Sequence, residues 1–284
     1  MNGRGHGKLI LCGEHAVVYG HPALALAVDR GTAVALVGRT GPTGLVSGVA
    51  DQRLAEVLRA VLPAEGLGVS IVSDVPIGRG MGSSAALAVA LIRAKAALRG
   101  ESLSPEQVFE KAFAVERVFH GNPSGLDHAV AARGGLLRYR RISSGTGSFE
   151  SVPTPQWSLV VLDSGVCGDT RELVAGVASR RPRMDPVLDR IGGLVDRAGE
   201  VLADPAALGP LLTENHALLR EIGVSTPTLD DLVDLALSAG AYGAKLSGAG
   251  GGGVVIALVD DPARVLGAAA RAGVTAFACR VAEA

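Results

Sequence analysis

Three cysteines are all that this chain of 284 residues contains, and Cys12, Cys167 and Cys279 are odd in number, far apart and without CxxC spacing. That excludes a disulfide framework, offers no zinc-ligand pattern and fits a reducing compartment, so a cytoplasmic location is expected. A charge bias is missing too: 27 Lys and Arg stand against 28 Asp and Glu, a formal net charge of −1. With no global field to attract nucleic acid or an anionic membrane, any phosphate must be held by a local site. Long apolar runs are also lacking. Glu14 and His15 interrupt the run at 9–11 too early for a signal peptide. Arg93 and Lys95 close the run at 85–92 well short of the roughly 20 apolar residues of a membrane span. No repeat or low-complexity tract is present.

What the chain has is apolar bulk. Hydrophobic residues make up 48% and charged residues 19%, which predicts a globular protein, and the length favours two domains. Short runs rich in Val, Leu and Ile predict strands at 8–12, 17–19, 32–37 and 69–72. The Ala- and Leu-rich stretch 84–98, with Gly100 just beyond it, predicts a helix. A second helix starts at Ser104, where S-P-E-Q combines a hydroxyl cap, Pro105 at the first position and Gln107 for a capping box. It should run to about Phe119, with Phe109, Phe113 and Glu116 beside its main apolar stripe. Ser, Gly, Thr and Pro at 142–156 predict a domain boundary. A strand at 158–163, helices at 170–179, 186–203, 206–222 and 229–239, and a strand at 254–259 follow. This irregular alternation predicts α+β layers rather than a doubly wound sheet.

Four segments carry candidate chemistry. The stretch P-I-G-R-G-M-G-S-S-A-A, 76–86, runs a glycine-dense loop directly into a helix, where free N–H groups and the positive end of the helix dipole suit phosphate oxygens. An ordinary loop with a serine cap is the other reading. No G-K-[ST] ends the loop, so it is not a Walker A motif. The G-x-G-x-x-G match at Gly248, Gly250 and Gly253 is followed by a predicted strand where a dinucleotide site needs a helix, which excludes a Rossmann site. The second segment, H-G-N-P-S-G-L-D at 120–127, places Asp127 on a turn after the helix that carries Glu116; either the two carboxylates converge or the segment is a helix C-cap followed by an Asp in a turn. The third, G-K-L-I-L-C-G-E-H at 7–15, holds Lys8, one of four lysines in a chain that otherwise uses Arg. Lys8 is either a specifically required ammonium or a surface residue at a strand start. The fourth, K-L-S-G-A-G-G-G-G at 245–253, is either a connector or a backbone that closes on a ligand.

In this order and spacing, segments 7–20, 76–86 and 245–253 resemble the three motifs of the GHMP kinases, and the resemblance spans nearly the whole chain. Segments 13–20, 120–127 and 170–177 are similar to those of the mevalonate-phosphorylating branch of that family. The resemblance implies an α+β, two-domain GHMP kinase fold. Its N-terminal part, 1–155, would be of the ribosomal protein S5 domain 2 type and its C-terminal part, 156–284, ferredoxin-like, with the active site between them. It implies ATP and Mg2+ as cofactors. Pro76, Gly78, Gly80, Met81, Gly82, Ser83, Ser84 and Ala85 would cradle the ATP phosphates, and Ser84 and Glu116 would serve magnesium. Asp127 would address the acceptor hydroxyl with Lys8 beside it, and Glu14, His15 and Thr170 would contact substrate. The expected reaction is phosphorylation of mevalonate to 5-phosphomevalonate in the mevalonate route to isoprenoids. A kinase of phosphomevalonate, homoserine or a sugar remains open, as does a nucleotide-binding relative without activity. Expected partners are the small-molecule substrate and neither nucleic acid nor membrane; a homodimer is left open. One departure from the branch is Asp169, which stands before Thr170 where basic residues are common.

Overall fold

The computed structural model describes residues 1–48, 52–120, 125–143 and 146–283. Residues 121–124 of the motif at 120–127 therefore lie outside the described residues. The chain opens with β1 (Asn2–Cys12), a 3-10 turn (Ala16–Tyr19), β2 (Pro22–Pro42), β3 (Gly44–Ser47), α1 (Gln52–Val61) and β4 (Glu65–Ser73). Next come α2 (Ser83–Leu98), α3 (Pro105–His120), α4 (Leu126–Arg133), β5 (Leu136–Ser143) and β6 (Thr146–Val152). The second half runs through β7 (Ser158–Asp163), α5 (Thr170–Ala178), α6 (Asp185–Glu200), α7 (Pro205–Glu221) and α8 (Pro227–Ser238). It ends with β8 (Gly243–Ser247), β9 (Val254–Val259), α9 (Pro262–Arg271) and β10 (Ala276–Cys279). No helix among the described residues is long and apolar enough to cross a membrane.

Two sheets organise these elements into the α+β layers that the sequence predicts. The first has the order β3-β4-β2-β5-β6, with β1 also paired to β2; only β3 and β4 run parallel. The second is antiparallel in the order β10-β7-β9-β8. The opening of β2 follows strand periodicity strictly. Leu24, Leu26 and Val28 enter the main core, while Ala23, Ala25 and Ala27 on the opposite face meet α4 residues Ala129 and Val130 in a smaller cluster. Alanine on that face leaves room for a helix to lie close against the sheet. The main core includes Leu9 and Leu11 of β1 together with Leu159–Leu162 of β7 and Val254–Val259 of β9, so one apolar cluster joins both sheets. The C-terminal residues return to the first sheet: Val281 bridges Val28, and the Ala282 N–H donates to the Ala27 carbonyl at 2.8 Å.

Several expectations change in the structure. Residues 17–19 are not a strand; they sit in the 3-10 turn between Gly13 (φ 105°) and Gly20 (φ 90°), which reverse the chain before pairing can begin. The Ser- and Gly-rich stretch from 142 is not simply a connector, because β6 lies within it and pairs with β5. Its alternately exposed residues gave little apolar signal. The α2 helix begins at Ser83, and Gly82 occupies the cap position with no side-chain cap hydrogen bond, so the predicted serine cap is not used.

Candidate active site

Lys8 is carried by β1 and is only 4% exposed, so it is no surface lysine at a strand start. Its backbone N–H donates to the Met81 carbonyl at 2.9 Å, fastening β1 to the glycine loop. Its Nζ lies 3.3 Å from Oδ1 of Asp127, whose side chain is 41% exposed. Asp127 stands in the first turn of α4, whose cap residue Gly125 is left-handed (φ 81°). A buried ammonium thus faces a carboxylate that solvent can reach.

Gly82 brings the glycine loop to that pair. Its φ is 69°, and a Cβ there would come within 2.8 Å of Lys8 Cγ and 3.8 Å of Asp127 Cβ. Glycine is required both by conformation and by the approach. Immediately after it, Ser83, Ser84 and Ala85 form the first turn of α2, whose unpaired amides and dipole favour an anion. Ala85 and Met81 are buried, and the Met81 side chain belongs to the main core. Ser84 is exposed, and its hydroxyl donates to Glu116 Oε2 at 3.2 Å. The two residues expected to share a magnesium ion are therefore adjacent. A hydroxyl and one carboxylate beside a phosphate-binding turn fit Mg2+, which takes few protein oxygens and completes its shell with phosphate and water. Among the described residues no cluster of three or more His, Cys, Asp or Glu could hold a metal by itself.

The glycine run at 248–253 closes on protein backbone. Gly80 approaches Ser247 so closely that a Cβ would lie 3.3 Å from its carbonyl, and one on Gly253 would lie 2.9 Å from the Arg79 carbonyl. The two glycine-rich segments therefore abut. Arg79 adds an ion pair, its Nε 3.2 Å from Asp163 Oδ1 at the end of β7, and so ties the first loop to the second sheet.

Glu14 and His15 are buried, at 1% and 5% exposure. Glu14 forms an ion pair with Lys245 inside the protein, and Lys245 Nζ also donates to the carbonyls of Leu246 (2.5 Å) and Ile10 (3.3 Å). The Glu14 carboxylate is thus engaged internally. His15, with a left-handed backbone (φ 60°), donates from Nε2 to the Ala249 carbonyl at 2.8 Å and so holds the second glycine segment. Burial lowers its pKa, partly offset by that hydrogen bond. Thr170 is exposed at the start of α5 and makes no hydrogen bond to the Lys8–Asp127 pair among the described residues. Asp169 caps α5, accepting from the N–H groups of Arg171 (2.8 Å) and Glu172 (3.1 Å), which accounts for an acid at this position.

Sequence reasoning missed Ser247, which accepts from the Ile10 N–H at 2.9 Å and joins β8 to β1. It also missed His128 on α4. Ser247 lies within segment 245–253 without a signal of its own, and His128 follows directly on segment 120–127.

Two family models match the chain: the GHMP kinases N terminal domain over 45–135 and the GHMP kinases C terminal over 199–275. The chain is 41% identical over 296 residues to mevalonate kinase of Thermococcus sibiricus, covering 89% of this chain and 87% of the relative. It is 38% identical over 319 residues to mevalonate kinase of Pyrococcus abyssi, covering 97% and 94%. Among solved structures it resembles L. major mevalonate kinase in complex with R-mevalonate, with a TM-score of 0.85 at 28% identity over 100% of this chain and 97% of that one. Methanococcus jannaschii mevalonate kinase gives 0.87 at 26% identity over 99% and 98%.

Proposed function

Because the chain belongs to the GHMP kinase family and is similar over nearly its whole length to mevalonate kinases, we propose that it transfers the terminal phosphoryl group of ATP to mevalonate, giving 5-phosphomevalonate. The observation that carries this reading is the Lys8–Asp127 pair at 3.3 Å, set directly against Gly82 at the head of α2. In this reading the first-turn amides of α2 and the loop 76–82 bind the ATP phosphates. Asp127 orients the acceptor hydroxyl and receives its proton as the bond to phosphorus forms, since phosphoryl transfer depends chiefly on positioning. Lys8 offsets charge on the transferring group from a buried position where the field of an ammonium is strong. Ser84 and Glu116 would hold Mg2+, which would supply neutralising charge to the phosphates of the bound nucleotide.

We assign residues 1–155 and 156–284 to the two domains, with the cleft between them. Support comes from the sheets, the first ending at Val152 and the second starting at Ser158. Glu14 acts from inside the protein, through Lys245, and His15 through Ala249; Thr170 is left as the exposed substrate contact.

The test is ADP release with Mg-ATP and mevalonate, 5-phosphomevalonate, homoserine or galactose as acceptor, with Asp127→Asn beside the native chain. Turnover on mevalonate alone is expected, falling by about a thousandfold or more in the variant while ATP still binds. Activity confined to another acceptor would discard mevalonate, and near-native turnover of Asp127→Asn would remove Asp127 from the reaction.

A further inference from the structure

His128 follows Asp127 on α4, is 2% exposed, and directs Nε2 to within 3.4 Å of Glu116 Oε2. That oxygen is the one to which Ser84 donates. The Nε2 atom has no hydrogen-bond partner among the described residues. The ring sits edge-on to Phe113, with centroids 6.1 Å apart and planes at 73°. A buried polar atom without a partner is destabilising, whereas an apolar side chain would fill the same space beside Phe113 without that cost. The polar ring is explained if its nitrogen works on the carboxylate in front of it.

We infer that His128 is a positioning residue for Glu116: its Nε2–H holds the carboxylate in the orientation from which Glu116 and Ser84 together bind the divalent cation of the nucleotide. The inference rests on the kinase reading above. Shortening the 3.4 Å approach to about 2.8 Å would make a charge-assisted hydrogen bond. A carboxylate held by such an outer partner loses less freedom on binding a cation. Adjacent residues of α4 thereby serve the two sides of the reaction, Asp127 the acceptor and His128 the cation.

The test reads cation binding without turnover: free Mn2+ is followed by electron paramagnetic resonance in the presence of the β,γ-imido analogue of ATP. Glutamine places an amide nitrogen near the position of Nε2, leucine fills the space without a donor, and asparagine carries an amide too short to reach. His128→Gln is expected to keep near-native Mn2+ affinity, and His128→Leu to lose about tenfold to a hundredfold. His128→Asn should behave as leucine does and decides the matter if the leucine variant does not fold. Equal affinity in the glutamine variant and the others overturns the inference. Glu116→Gln separates the two levels: unchanged Mn2+ affinity there would remove Glu116 from the cation site and the inference with it, while leaving phosphoryl transfer to be judged by the acceptor assay.

Discussion

Lys245 and Glu14 form an ion pair that is sealed from solvent, with side-chain exposures of 0% and 1%. One belongs to β8 of the second sheet and the other follows β1 of the first, so the pair ties the two sheets together. Removing one partner of such a pair leaves a charge buried and alone.

Lys245→Met is therefore expected to lower unfolding free energy by about 3–5 kcal/mol, measured by urea denaturation. Pairing it with Glu14→Leu should recover much of that loss, because an apolar pair of similar volume avoids the desolvation penalty. A double variant no more stable than the single one would contradict this account.

Gly82→Ala and Gly100→Ala form a matched test of the loop. Both glycines have left-handed backbones, with φ of 69° and 67°, so each substitution should cost about 1–3 kcal/mol of stability. Only at Gly82 would the new Cβ press on Lys8; at Gly100 nothing lies within 4 Å. Turnover should collapse in Gly82→Ala and hold in Gly100→Ala. Similar kinetics for the two variants would show that the approach to Lys8 is unimportant.

Acid should weaken the fold through His216. The Leu246 N–H donates to its Nδ1 at 3.3 Å, so the neutral ring carries its proton on Nε2, which faces Asp230 Oδ1 at 3.0 Å. Its pKa is lowered, chiefly by burial and despite Asp230, and protonating Nδ1 would also break the bond from Leu246. The unfolded chain then binds the proton more readily than the folded one. Stability is fully present above the ordinary value of 6.5 and is lost as pH falls from there toward the lowered folded value. The slope is at most about 1.4 kcal/mol per pH unit for this group. Thermal melts from neutral to mildly acidic pH should show the fall, and His216→Gln should flatten it; an equal slope in the variant would assign the effect to other groups.

The sequence by itself determined the elements whose signal is local. Helix α3 begins as S-P-E-Q predicts: the Gln107 side chain accepts from the Ser104 N–H at 2.9 Å, and the Ser104 hydroxyl accepts from the Gln107 N–H at 3.3 Å. The glycine loop running into α2 was legible for the same reason, as neighbouring residues set its backbone. Strand β6 and helix α4 were not. β6 is an edge strand that alternates exposed and partly buried residues, and the eight residues of α4 are buried at six positions, so neither shows a one-sided apolar stripe.

Tertiary structure alone decided which charges meet. Nothing near Lys245 in the sequence points to Glu14, 231 residues away, and the meeting of Lys8 with Asp127 is legible only through the resemblance to a family, not from the residues around either one. The resemblance implies a substrate contact for Glu14, and the fold pairs its carboxylate with a buried ammonium. Periodicity and capping act over one or two turns of chain, whereas a charge's partner is chosen by the packing of sheets and helices far apart in sequence. That packing also decides whether the charge is desolvated, and so whether it holds the protein together or stands ready for substrate.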